Sequence, residues 1–202
     1  TIFEDKEMLA CIEALDFDKT TGLISMRIKN INGEEERSAW KYKSFVQYLL
    51  FNFWIYRHFT YKKDRYIYST EKKTQFVDMV RGSFMMFRTE ALEKAGYFDE
   101  ETFLYYEEEC ISYRLKQKGY KVGILTNYFY IHNHISSNIK NKYSMKEVMD
   151  QSLIHFLKRY YKVGKIKMKV FCFAVRISSA ESRVLCIIKS KKQIFIRRDA
   201  GD

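Results

Sequence analysis

The chain has no proline in its 202 residues, so its turns must be built with Gly, Asn, Asp and Ser. Its four cysteines, Cys11, Cys110, Cys172 and Cys186, are far apart and form no Cys-x-x-Cys. No pair has the spacing of a metal site, and no signal peptide accompanies them. They therefore read as reduced thiols in a cytosolic setting, not as a disulfide framework. Long apolar runs are also missing. The most apolar stretch, FVQYLLFNFWIY at 45–56, is too short to cross a bilayer and carries Gln47 and Asn52. There is no internal repeat and no low-complexity tract. The chain opens on a helical pattern with no strand before it, which predicts that it continues a longer protein.

What is present is a folded, aromatic-rich protein. Hydrophobic residues make up 47%, with 16 Tyr and 16 Phe, and 202 residues suffice for one sizeable domain with an appendage. The net charge of +11 is unevenly placed. Residues 138–202 hold 16 Lys or Arg against 5 Asp or Glu, whereas residues 1–137 hold 20 of each and are neutral. The basicity belongs to the tail alone.

Periodicity predicts the elements. Residues 4–15 have helical spacing, and GLISMRIKN at 22–30 alternates as a strand before the Asn32-Gly33 turn. A second helix is expected over 42–57 and a Tyr- and Lys-rich loop over 58–76. VDMV and SFMMFR read as strands around Arg81-Gly82. Thr89 is expected to cap a short helix that Gly96 ends, and Glu107 to Lys118 reads as a helix stopped by Gly119. KVGILT and YFYIH read as two strands separated by Asn127. Ser144 and Glu147 form a capping-box pattern for a helix to about Lys162, and an amphipathic stretch lies within 167–177.

Several elements occur in a fixed order: Gly82-Ser83, Arg88, Gly96-Tyr97-Phe98-Asp99, Phe103 to Tyr106, Glu107-Glu108, Arg114-Leu115, Gly119-Tyr120 and His132. In this order and spacing they resemble the acceptor-side half of family 2 glycosyltransferases, particularly rhamnosyltransferases and capsule-polysaccharide transferases. The resemblance covers roughly residues 5–137. It implies an α/β chain: the acceptor-side half of a GT-A mixed sheet flanked by helices (1–137), followed by a basic amphipathic helical tail (138–202). The family's N-terminal βαβ units and its Asp-x-Asp for sugar nucleotide and metal are not matched, so residues before Thr1 would supply them. The chain alone is expected to be inactive, and its uncovered sheet edge to favour self-association.

Moving a sugar from a nucleoside diphosphate to a hydroxyl needs a base for the hydroxyl's proton and positive charge for the leaving diphosphate. The resemblance makes Glu108 that base, standing where the family usually has Asp, with Glu107 as its orienting neighbour. Cys110 stands where a second Asp is common. Gly82 would leave room for substrate, with Ser83 and Arg81 beside it. His132 would be one ligand of a Mg²⁺ or Mn²⁺ ion, with His134 the alternative on the same strand face. Three acids in a first helical turn also stabilise the positive end of the helix without any catalysis. Gly82 can serve backbone geometry alone, Arg81 can be simply a solvated charge and His132 a satisfied structural residue of its strand, and Asp99 with Phe98 reads as a structural turn.

The expected activity is inverting transfer from a nucleotide-sugar donor to a glycan or lipid-linked glycan in bacterial surface polysaccharide synthesis. It would take place in the cytoplasm, at the inner face of the cell membrane. Processive synthases of this fold carry Gln-x-x-Arg-Trp. Neither Trp40 nor Trp54 follows an Arg, which favours single addition. The rival reading is a non-catalytic basic module binding an anionic membrane or nucleic acid through 138–202. No nucleic-acid recognition signature is present, so the membrane is the favoured partner of the tail.

Overall fold

The computed structural model describes residues 1–60, 66–69, 71–102, 104–133 and 139–181. The protein is mixed α/β and forms two compact units. One comprises 1–42 and 61–162, and the other comprises 43–60 together with the segment from Val163 onward.

In the first unit, α1 (Asp5–Phe17) opens with a reciprocal capping box between Glu4 and Glu7 and buries Cys11 and Leu15. Strand β1 (Thr21–Lys29) is buried along most of its length because elements flank it on both sides and cover both faces. It runs parallel to β7 (Lys121–Ile131). On its other side it pairs with β2 (Glu35–Glu36) and β6 (Met86–Phe87). Strand β4 (Thr74–Val77) pairs antiparallel with β7. Short β3 (Ala39–Trp40) and β5 (Met79–Val80) pair apart from this sheet.

The pleat of β1 splits the core. Ile24, Met26 and Ile28 pack with Cys11 and Leu15 of α1. Leu23, Val122 and Ile124 pack with Ala91 and Ala95 of α4 (Thr89–Ala95) and with Ile111 and Leu115 of α5 (Glu107–Gln117). The sheet is thus a middle layer between helices, which keeps both of its apolar faces dry.

Local expectations change at five points, the first being that residues 74–76, expected in a loop, open β4. Strand β7 is continuous, where a break at Asn127 is expected. Met26 pairs with Leu125 but Arg27 with Phe129, so residues 126–128 bulge out. The Arg27 guanidinium stabilises the bulge by donating to the Thr126 carbonyl at 2.9 Å and lying 4.5 Å over the Phe129 ring. Helix α4 is capped by Arg88, not Thr89, because Arg88 has the extended backbone and its carbonyl accepts the Leu92 N–H. Its guanidinium is committed to the carbonyls of Leu15, Asp18 and Thr21. The helix expected over 42–57 is two, α2 (Phe45–Phe51) and α3 (Trp54–Thr60). The Asn52 amide donates to the carbonyls of Tyr48 and Leu49, which competes with helical continuation. Helix α6 (Ile139–Arg159) starts before Ser144. Gly96 ends α4 with φ 78°, the left-handed conformation that suits glycine.

Residues 139–162 fall in the first unit although the sequence divides the chain at 137. Aromatic and ionic contacts account for this. Phe156 of α6 is fully buried among the rings of Tyr106, Tyr113, Tyr160 and Tyr161. Asp99, in the turn after α4, faces His155 Nε2 at 2.9 Å and accepts the Tyr160 hydroxyl.

In the second unit, α2 packs on a seventh helix, α7 (165–181). The Phe45 and Phe171 rings lie 6.0 Å apart, and the Ser178 hydroxyl donates to the Asn52 carbonyl at 2.7 Å. Among the described residues no helix is long and apolar enough to cross a membrane.

Candidate active site at the start of α5

The backbone leading into α5 is unusual. Tyr105 and Tyr106 both have φ 67°, a left-handed conformation that costs bulky residues of order 1–3 kcal/mol each. Packing of the Tyr106 ring against Phe156, with centroids 6.0 Å apart, holds this geometry. The strained pair turns the chain so that Glu107, Glu108 and Glu109 fill the first helical turn, with no side chain capping it. There they face the positive end of the helix dipole.

Glu108 reaches back over Gly82. A Cβ on Gly82 would stand 3.6 Å from Glu108 Cδ and Oε2 and 3.7 Å from Oε1, so the carboxylate lies at contact distance over the bare Cα. Burial raises the Glu108 pKa, and the charge of Glu107 raises it further. Hydrogen bonds from the backbone N–H groups of Glu108 and Gly82, and the Arg81 guanidinium, work the other way, but the net direction is upward. Beside it, Glu107 Oε2 is buried and has no hydrogen-bond partner among the described residues. A buried acceptor of this kind is suited to a donor arriving with a ligand.

The neighbours are fixed in turn. Arg81 Nη1 donates to Glu36 Oε2 at 2.6 Å, and the Arg81 N–H donates to the Ser38 carbonyl at 3.0 Å. The Ser83 hydroxyl is 2.7 Å from the Tyr130 hydroxyl. Burial pushes Tyr130 up to about 12, so it stays a neutral hydroxyl at physiological pH. Thr1 Oγ1 donates to the Ser83 carbonyl at 3.3 Å and lies 3.3 Å from His132 Nδ1. His132 follows β7 directly, its N–H bonded to the Lys29 carbonyl at the carboxyl end of β1.

Glu108, Gly82 and Arg81 are therefore brought together, with Glu107 alongside. Ser83 is adjacent in the chain, and His132 joins through Thr1. His134 and Phe103 lie outside the described residues. Glu36, Tyr130 and Thr1 belong to this constellation although sequence pattern marks none of them. Their partners lie 45, 47 and 82 residues away, beyond any local signal.

Among the described residues no three His, Cys, Asp or Glu side chains group to hold a metal ion. One imidazole at His132 does not make a Mg²⁺ or Mn²⁺ site, so the donor set present here does not fit the ion by itself. The tripeptide Asp16-Phe17-Asp18 has the letters of an Asp-x-Asp but serves the turn after α1. Asp16 pairs with Lys19, and Asp18 accepts from Thr20 and Lys121. A cavity of about 920 Å³ between α1, residues 72–76 and the β7 bulge shares no lining residue with the Glu108 cluster.

No protein-family model matches the chain, and no curated protein matches it. What supports a function is therefore the chemistry of the residues themselves.

Proposed function

We propose that this chain is the acceptor-side part of an inverting glycosyltransferase of the GT-A fold and family 2 type, moving a sugar from a nucleotide-sugar donor to a glycan or lipid-linked glycan. The observation that carries this reading is the Glu108 carboxylate. It stands at the start of a helix over the bare Cα of Gly82, in surroundings that raise its pKa. A buried carboxylate so placed, its proton affinity raised above the ordinary carboxylate range, is suited to accept the proton of an acceptor hydroxyl.

In the proposed reaction the acceptor hydroxyl donates a hydrogen bond to Glu108, and its proton passes to the carboxylate as its oxygen bonds to the anomeric carbon. The bond from that carbon to the diphosphate oxygen breaks, and its electron pair leaves with the nucleoside diphosphate. Attack from the face opposite the leaving group inverts the anomeric configuration. Glu107 Oε2 accepts from a second acceptor hydroxyl and so orients the sugar ring. Gly82 supplies the room in which the hydroxyl meets Glu108. Arg81, held by Glu36, contributes positive charge near the reacting groups.

In this reading the sugar-nucleotide-binding residues are not among those of this sequence, and His132 is held by Thr1, whose Oγ1 lies 3.3 Å from its Nδ1. A divalent cation would supply charge for the diphosphate in such enzymes, and His132 would be a single donor to it. The residues present do not complete its site, and no step is drawn through it.

The test uses the longer polypeptide that this reading requires, incubated with a panel of nucleotide sugars and short glycan acceptors. The anomeric configuration of the product is read by NMR. Transfer with inversion is expected. Transfer with retention, or none from any donor, contradicts the proposal.

A further inference from the structure

Helix α7 has two apolar faces, and among the described residues one is buried and the other exposed. Met168, Phe171, Ala174, Val175 and Ser178 are buried. Ile166, Val170, Phe173 and Ile177 follow one another at spacings of four, three and four, which places them on a single stripe of the helix. They are exposed by 80%, 51%, 65% and 44%. Lys165, Lys169 and Arg176 flank this stripe on one side and Lys167 on the other, all exposed. Glu181 is the one acid among the described residues of the helix. Helix α2 of the same unit also exposes Val46 and Leu50.

A narrow apolar stripe with basic flanks matches an interface that is apolar below and negative above. An anionic bilayer offers both at once: acyl chains at the depth of the stripe, and phosphates where long basic side chains can reach up from it. Seventeen residues span roughly 26 Å at 1.5 Å per residue, enough to lie along the surface. The chain as a whole carries a net charge of +11, which adds long-range attraction of the same sign.

We propose that α7 lies in the plane of an anionic phospholipid surface, with Ile166, Val170, Phe173 and Ile177 at the acyl boundary and Lys165, Lys169 and Arg176 on the phosphates. This assignment stands independently of the transferase reading and is tested without any activity.

The whole 202-residue chain is floated with vesicles of phosphatidylcholine alone, or of phosphatidylcholine mixed with phosphatidylglycerol, at low and high salt. Binding is expected to the mixed vesicles only, and to weaken with salt. Phe173→Gln with Ile177→Gln, both at exposed positions, should keep the circular dichroism spectrum and lose roughly tenfold or more in partitioning per side chain. Replacing Lys165, Lys169 and Arg176 by Gln should cost roughly fivefold per charge on the mixed vesicles.

Equal binding to neutral vesicles, or unchanged binding by the Phe173/Ile177 variant, overturns the proposal. If that variant instead converts a dimer to a monomer in lipid-free light scattering while vesicle binding is unchanged, the stripe is a contact between copies. A chain ending at Glu181 should still bind in the stripe-dependent way. Loss of all binding on removing 182–202, with the α7 variants silent, assigns the contact to that segment and likewise overturns the proposal.

Discussion

The Glu108 carboxylate lies against Gly82, at the distance where a Cβ on Gly82 would touch it: 3.6 Å to Cδ and to Oε2. This is ordinary contact, not overlap, and Gly82 is outside the left-handed backbone region. Gly82→Ala should therefore fold with a melting temperature within about 4 °C of the parent. Its methyl group would fill the space where an acceptor hydroxyl meets Glu108, so transferase activity should fall far more than stability. Gly22→Ala is the contrast. Its Cβ would lie 2.9 Å from Tyr120 Cβ and 3.0 Å from Ala91 Cβ, and overpacking of this kind costs about 1–3 kcal/mol. Thermal melts of the two variants check the ordering.

Glu108 should make the fold less stable as it ionises. Burial first, and Glu107 second, raise its pKa above the ordinary 4.5. A raised folded-state pKa means that its contribution is fully present below pH 4.5 and is lost as pH rises through the folded value. The stability of Glu108→Gln relative to the parent should thus grow in favour of Gln as pH rises from 4 to neutrality. Urea midpoints across that range measure it, and a difference that does not change with pH would count against the assigned environment.

Asp99 should act in the opposite sense at lower pH. Burial alone would raise its pKa, but hydrogen bonds from Tyr160, His155 and the Glu101 N–H, with Arg159 nearby, bring it down to about 2. A depressed folded pKa contributes stability above the unfolded value and loses it as pH falls through the folded one. The contribution is of order 2 kcal/mol, from about 1.4 kcal/mol per pKa unit. The parent should lose that advantage over Asp99→Asn between about pH 4 and pH 2, as read from denaturation midpoints.

Phe156→Ala tests the organisation of the first unit. Phe156 is fully buried among four tyrosines, and truncating a buried Phe costs about 3–5 kcal/mol. If α6 were an independent appendage, calorimetry would show a separate minor transition moving. A shift of the main transition is expected instead.

Much of this was legible in the sequence where the physics is local. The alternation of GLISMRIKN becomes β1, the acidic opening and Gly119 bound α5, and Gly96 takes the left-handed cap. Elements failed where a side-chain donor takes up a backbone carbonyl. Arg27 fills the β7 bulge, so Asn127 does not break the strand, and Asn52 caps its own helix, so 42–57 divides. The pairing of Arg81 with Glu36 and of Asp99 with His155 joins residues 45 and 56 positions apart, which no periodicity announces. At the site, the resemblance pointed to Glu108 and Gly82, and the structure puts them in contact. It did not point to the unsatisfied oxygen of Glu107 or to the left-handed Tyr105 and Tyr106.

The most direct test of the central claim compares Glu108→Gln with Glu109→Gln in the transferase assay. Both remove one charge from the same helical turn, and the Glu109 charge acts on Tyr42, Tyr106 and Cys110. General-base assistance is worth about 10²–10⁴-fold. Glu108→Gln should therefore lose that much in kcat with donor affinity unchanged, while Glu109→Gln keeps most of its activity. Equal activity in the two variants would contradict the account and leave the acidic triplet with only its role at the positive end of the helix.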